Sequence, residues 1–150
     1  MARGDLKTFD YYPYNAGLKL YNNSTDTFKM AIITEQFSAV NVAFVDPTLS
    51  DYTDAAAGGN YTAGGNALPG NAWTISAAVS KLDFTDFAIA KDAGNPTTGK
   101  TALIINFTGG VRVIHAIDLT TDGTTAVDLV NNDLSIAFNA DGTFTATVTA

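Results

Sequence analysis

Short apolar runs broken by Gly, Asn, Asp and Thr set the rhythm of the chain. Gly and Asn tolerate the positive φ of turns, whereas Thr, Val, Ile and Phe suit a half-buried pleated surface. Phe28 to Thr34 predicts a strand, buried on both faces towards its end, and Phe37 to Val45 a second extended segment. Asp46 followed by Pro47 predicts an N-cap with Pro at N1, hence one helical turn through Asp51. Ala55 to Gly70, with paired glycines at 58–59 and 64–65 and with Pro69, predicts a long loop. Further strands are expected over Trp73 to Val79, Leu82 to Lys91, Ala102 to Thr108, Val111 to Leu119, Leu134 to Asn139 and Thr143 to Thr149. Gly109-Gly110 and the stretch Asn139 to Gly142 are tight-hairpin signals. Pro13 to Tyr21, with Leu18 and Tyr21 at i and i+3, predicts an early helix. About eight strands at this spacing predict an all-β fold: a β-sandwich or jelly-roll-like barrel with at most one or two short helices.

The first dozen residues stand apart from that rhythm. Phe9, Tyr11, Tyr12 and Tyr14 crowd together ahead of any clear strand. Two readings apply: these rings cover the edge of the domain's own core, or they anchor an extended N-terminal arm on a neighbouring subunit or shell. The second divides the chain into an arm over residues 1–12 and one β-sandwich domain over 13–150, with the four aromatics as the candidate interface.

Composition narrows the function more than the fold. A chain of 150 residues is one domain's worth and buries roughly 68–70% of its unfolded surface, enough for a core without staples. There are no cysteines, which excludes disulfides, a thiolate zinc site and a cysteine nucleophile. Eight Lys and Arg against 15 Asp and Glu give a net charge of −7, which disfavours nucleic acid and anionic membranes, since both are held mainly by basic side chains. With 46% hydrophobic and 15% charged residues the composition is that of a packed chain, not a disordered one. No apolar run approaches the ~18 residues of a membrane span, and no apolar stretch follows Met1 to Lys7 as in a secretory signal. Synthesis in a cytoplasm is the expectation.

One string matches a catalytic pattern letter for letter. Gly94 to Thr101 reads G-x-x-x-x-G-K-T, the phosphate loop of nucleotide-hydrolysing enzymes, with an apolar run ending at Asp118 downstream. A phosphate loop must open a helix whose N-terminus holds the anion. Here Ala102 to Thr108 is β-branched and stops at Gly109-Gly110, so the match is read as a polar loop between strands. His115 is the chain's one histidine and in an extended strand shares a face with Val111, Val113 and Ile117, at the margin of a packed face. With no second histidine, an imidazole metal cluster cannot form within one chain. Asp83 and Asp86, three apart in a predicted strand, point to opposite faces. Asp122-Gly-Thr and Asp141-Gly-Thr lack the alternating ligands and closing glutamate of a calcium loop. No catalytic, cofactor-binding or metal residue is assigned, and the protein is expected not to be an enzyme.

The order of segments is more informative than any one site. Leu20 to Thr34 resembles the "D-T-x-K-V-A-L-L-T" opening of a family of small tailed-bacteriophage virion proteins, and Tyr61 to Leu68 resembles their "Y-T-A-G-G-x-x-L" segment. Phe84 to Pro96 is similar to their strand ending in "Y-K-D-T-G-x-P", Asn106 to Gly110 to their "D-F-G-G" turn, and Asn139 to Phe144 to their closing "D-A-x-G" hairpin. At Ala90 the chain departs from the family's aromatic. The resemblance implies a structural virion protein on the outer capsid surface: a decoration (cement) protein that contacts the major capsid protein and copies of itself as a dimer or trimer. It implies no cofactor, no nucleic acid and no membrane. The alternatives are a tail or head-fibre component of the same particle and, in a different class, a host-glycan binding module. The last requires an exposed Trp73 to stack on sugar rings, whereas a core role requires a protected one.

Overall fold

Short strands rich in Ile, Val, Thr, Ala and Phe dominate the computed structural model, which describes residues 2–76, 79–108, 110–138 and 144–149. In chain order the elements are β1 (Leu6–Thr8), α1 (Tyr11–Gly17), β2 (Phe28–Ile33), β3 (Asn66–Leu68), β4 (Ala72–Ser76), β5 (Val79–Asp83), β6 (Phe87–Ile89), β7 (Thr101–Asn106), β8 (Arg112–Asp118), β9 (Asp133–Phe138) and β10 (Phe144–Thr149). Short 3₁₀ turns cover Phe37–Ala39 and Leu49–Asp51. The central sheet runs β1-β8-β7-β2-β3, a second runs β10-β9-β6, and β4 and β5 form a separate ribbon; all pairings are antiparallel. The fold is all-β and sandwich-like.

Both faces of the central sheet are buried. Phe28, Met30, Ile32, Ala102, Ile104, Ile114 and Ile117 pack on one side with Phe87, Ile89, Leu134 and Ile136 of the second sheet. Ala31, Ile33, Leu103, Ile105, Val113 and Ala116 face the other way, where Phe9, Phe37 and Val40 cover them. The two-faced burial expected of β2 is therefore present, and β7 shares it. A bulge in β8 sets the phase of this packing. Ile104 pairs with His115 but Ile105 pairs with Val113, so Ile114 is an extra residue. Val113 consequently joins the second cluster while His115 stays on the side of Ile117, and the shared face expected of His115 and Val113 does not form.

Several local expectations change, among them the long loop expected over Ala55 to Gly70, in which β3 pairs Asn66–Leu68 with β2. Phe37 to Val45 is not a strand: Phe37 and Val40 are buried, but they anchor a 3₁₀ turn and a covering loop, tied at Val42 by the Asp10 N–H. The helical turn before Tyr52 is capped by Thr48 in a reciprocal box with Asp51, while Asp46 holds a positive φ of 50° and its Oδ1 accepts from Arg112 Nε and Asn15 Nδ2. Helix α1 starts at Tyr11 and ends at Gly17, with Pro13 in the first turn, where its missing N–H costs nothing. Leu82 to Lys91 breaks into the end of β5 and β6, because Thr85 N–H turns to the Pro69 carbonyl and Asp86 Oδ1 takes the Phe138 N–H of the second sheet. The hairpin turn expected at Asn139 to Gly142 falls among residues 139–143, outside the described ones, as do Gly109 and Asp141.

Within residues 1–12, expected as an arm, part of the chain packs on the sheets. Leu6 and Thr8 pair with Ile117 and His115, and Phe9 is wholly enclosed. No helix among the described residues is long and apolar enough to cross a membrane.

Candidate interaction surface

The four aromatics of the N-terminal cluster divide between inside and outside. Phe9 has no exposed surface and stands edge-on to Tyr52, centroids 6.5 Å apart. Tyr12 stacks on Tyr21 at 5.7 Å, and its hydroxyl accepts a 2.9 Å hydrogen bond from Asn23 Nδ2. Burial pushes its pKa up to about 12, against the lowering effect of that bond. Tyr14 lies outside and Tyr11 is half-buried; their rings are in edge contact at 6.2 Å, and with Asp10 they line an open hollow of about 390 Å³. Tyr14 is 61% exposed, and Leu18, just past the helix end, is 53% exposed.

A second hollow opens at the other end of α1. Ala16 and Lys19, the turn Tyr21 to Ser24, and Trp73 of β4 line a groove of about 360 Å³. Asn71 Nδ2 donates to the Asn23 carbonyl at 2.7 Å and ties the start of β4 to the turn. Trp73 is 44% exposed, the environment that sugar stacking requires of it, and Ile75, two residues along the same strand, is 74% exposed. Sequence reading singled out Trp73 but missed the groove, because Lys19 and Tyr21–Ser24 lie about a third of the chain away from it.

The remaining polar features are structural. In the phosphate-loop string, Asn95 is buried and its amide donates to the Ala90 and Leu129 carbonyls while its Oδ1 accepts from Asn60 N–H. Lys100 N–H bonds the Ile33 carbonyl, and Thr101 opens strand β7 with its hydroxyl on the Glu35 carbonyl at 2.8 Å. The helix that the motif requires is replaced by a strand, so the match to the phosphate-loop pattern carries no phosphate-loop geometry. His115 is half-buried, with Nδ1 3.1 Å from Thr8 Oγ1. Asp122 accepts from the N–H groups of Thr124 and Thr125 and from the Thr125 hydroxyl, which hold its carboxyl below the usual range. Asp83 Oδ1 and Asp86 Oδ1 serve different backbone N–H groups, of Phe84 and Phe138, and do not converge. Among the described residues no three His, Cys, Asp or Glu side chains gather as a metal site.

Comparison with protein-family models, with curated proteins and with solved structures returned no match.

Proposed function

We propose that this protein is a non-enzymatic structural component of a tailed-phage particle. It decorates and stabilises the outer capsid surface by non-covalent contacts with the major capsid protein and with copies of itself. The ordered resemblance of five segments to small phage virion proteins supports the reading, and one structural observation carries it. Tyr14 and Leu18 stand outside, with half-buried Tyr11 beside Tyr14, on a body whose central sheet is already covered on both faces. Exposed aromatic and aliphatic anchors of this kind are what a docking surface needs. A cement protein performs no reaction; it adds contact area across joints between subunits, and many weak joints acting together multiply modest affinities. A net charge of −7 keeps such a subunit off packaged DNA.

The test is co-sedimentation with empty shells that lack the protein, followed by heating of those shells. Stoichiometric binding that raises the temperature of shell breakage is expected. Point substitution is the informative perturbation, because removing residues 1–12 would strip β1 and Phe9 from the core. The double variant Tyr14→Ser, Leu18→Ser is expected to keep its circular dichroism and lose shell binding. Absence of binding by the unmodified protein would overturn the capsid assignment and direct the search to the tail or fibre.

A further inference from the structure

The groove between the end of α1 and β4 has the chemical make-up of a sugar site. Its volume, about 360 Å³, falls in the range of small-ligand clefts, which combine an apolar wall with a few converging polar groups. Trp73 is the apolar wall. Its exposed indole offers a flat face with negative quadrupole to the C–H bonds on one side of a pyranose ring.

The opposite wall supplies both kinds of hydrogen-bonding group that sugar hydroxyls need. The Lys19 ammonium, the Ser24 hydroxyl and the Asn22 amide nitrogen have no partner among the described residues. Asn23 is 7% exposed; its amide nitrogen is committed to Tyr12, and its Oδ1 has no hydrogen-bond partner. That oxygen is enclosed, so Asn23 shapes the wall of the groove and offers it no free acceptor. The site is also held in advance. Asn71 ties the start of β4 to Asn23, Tyr12 fixes the Asn23 side chain, and Lys19 is set at the rim as the left-handed residue that ends α1, its N–H on the Ala16 carbonyl and that of Leu20 on the Asn15 carbonyl.

We propose that this groove binds a pyranose unit of a surface glycan, with Trp73 as the stacking platform and Lys19, Asn22 and Ser24 as the hydroxyl-binding wall. The proposal does not depend on shell binding and survives or fails separately from it.

Trp73 is the chain's one tryptophan, so its emission reports on this site alone. Titration of the purified protein with a panel of hexoses, N-acetylhexosamines and uronic acids, as mono- and trisaccharides to tens of millimolar, is expected to give a saturable change in emission for at least one sugar. Ser24→Ala and Lys19→Ala are expected to weaken that sugar at least three-fold with circular dichroism unchanged. Trp73→Ala is expected to abolish the saturation-transfer NMR signal of the same sugar. No saturable response to any member of the panel overturns the proposal, and so does undiminished transfer to folded Trp73→Ala.

Discussion

The ring of Tyr12 meets the imidazole of His115 edge-on, with centroids 5.2 Å apart and planes inclined by 62°. Through this contact and the Thr8 hydroxyl on Nδ1, α1 and β1 close over the one histidine of β8. Desolvation there pushes its pKa down from 6.5 to about 4.

Acid is therefore expected to weaken the fold through His115. The unfolded chain takes the proton near pH 6.5 and the folded chain only near pH 4. Between those values the unfolded state binds more protons, and stability falls as pH falls; above the upper value both states are neutral and the group adds no pH dependence. Urea denaturation of the unmodified protein and of His115→Gln at neutral pH and at about pH 5 checks this, with the smaller loss expected in the variant. Equal losses would remove His115 from the acid response.

Within the aromatic cluster, stability and binding are expected to separate. Phe9→Ala empties a wholly buried site and is expected to cost about 3–5 kcal/mol. Tyr14→Ala acts on a side chain that is 61% exposed and is expected to change stability by less than about 0.5 kcal/mol. Denaturant midpoints of the two variants measure the difference.

The Tyr61 hydroxyl accepts the Ile32 N–H at 2.8 Å and donates to the Asp54 carboxylate. β3 pairs only with Phe28 to Met30, so this hydroxyl takes over where the neighbouring strand ends. Burial, and next the bond to Asp54, raise its pKa well above the ordinary tyrosine value. Tyr61→Phe leaves the buried Ile32 donor unmatched and is expected to cost roughly 1–3 kcal/mol, read from equilibrium unfolding.

Gly64 and Gly65 are expected to differ under the same substitution. Both hold positive φ, 80° and 90°, but a Cβ on Gly64 meets nothing within 4 Å whereas one on Gly65 comes within 2.6 Å of the Met30 carbonyl oxygen. Gly64→Ala is expected to cost about 1–2 kcal/mol, from left-handed backbone alone. Gly65→Ala adds a clash with the backbone of β2 and is expected to lower the melting temperature further. Equal melting temperatures would contradict this close approach.

Sequence patterning located the strands whose alternation is strong. β2, β7, β8 and β9 lie within or beside the runs that predict them: apolar, β-branched runs facing two buried layers in β2, β7 and β8, and in-out alternation at Leu134, Ser135 and Ile136 in β9. It failed where an apolar residue is an anchor rather than a ladder member, as at Phe37 and Val40. It also failed where a strand is three residues long and is defined by its partner, as at Leu6–Thr8 and Asn66–Leu68. Of the candidate surface, the exposure of Tyr14 fits its place on a short helix, but the burial of Phe9 follows from the loop over the second sheet face. The groove at Trp73 was illegible, since the Asn71–Asn23 bond that builds it joins residues 48 positions apart.

The bulge at Ile114 bears on chain length. Elsewhere in the central sheet, losing one residue from a strand would turn the side chains beyond it from one buried layer to the other. In β8, removing Ile114 would instead join Val113 directly to His115 with both already on their proper sides. The expected result is a straighter strand that has lost one apolar side chain and little of its pairing. This is the position where a sister chain one residue shorter would carry its gap.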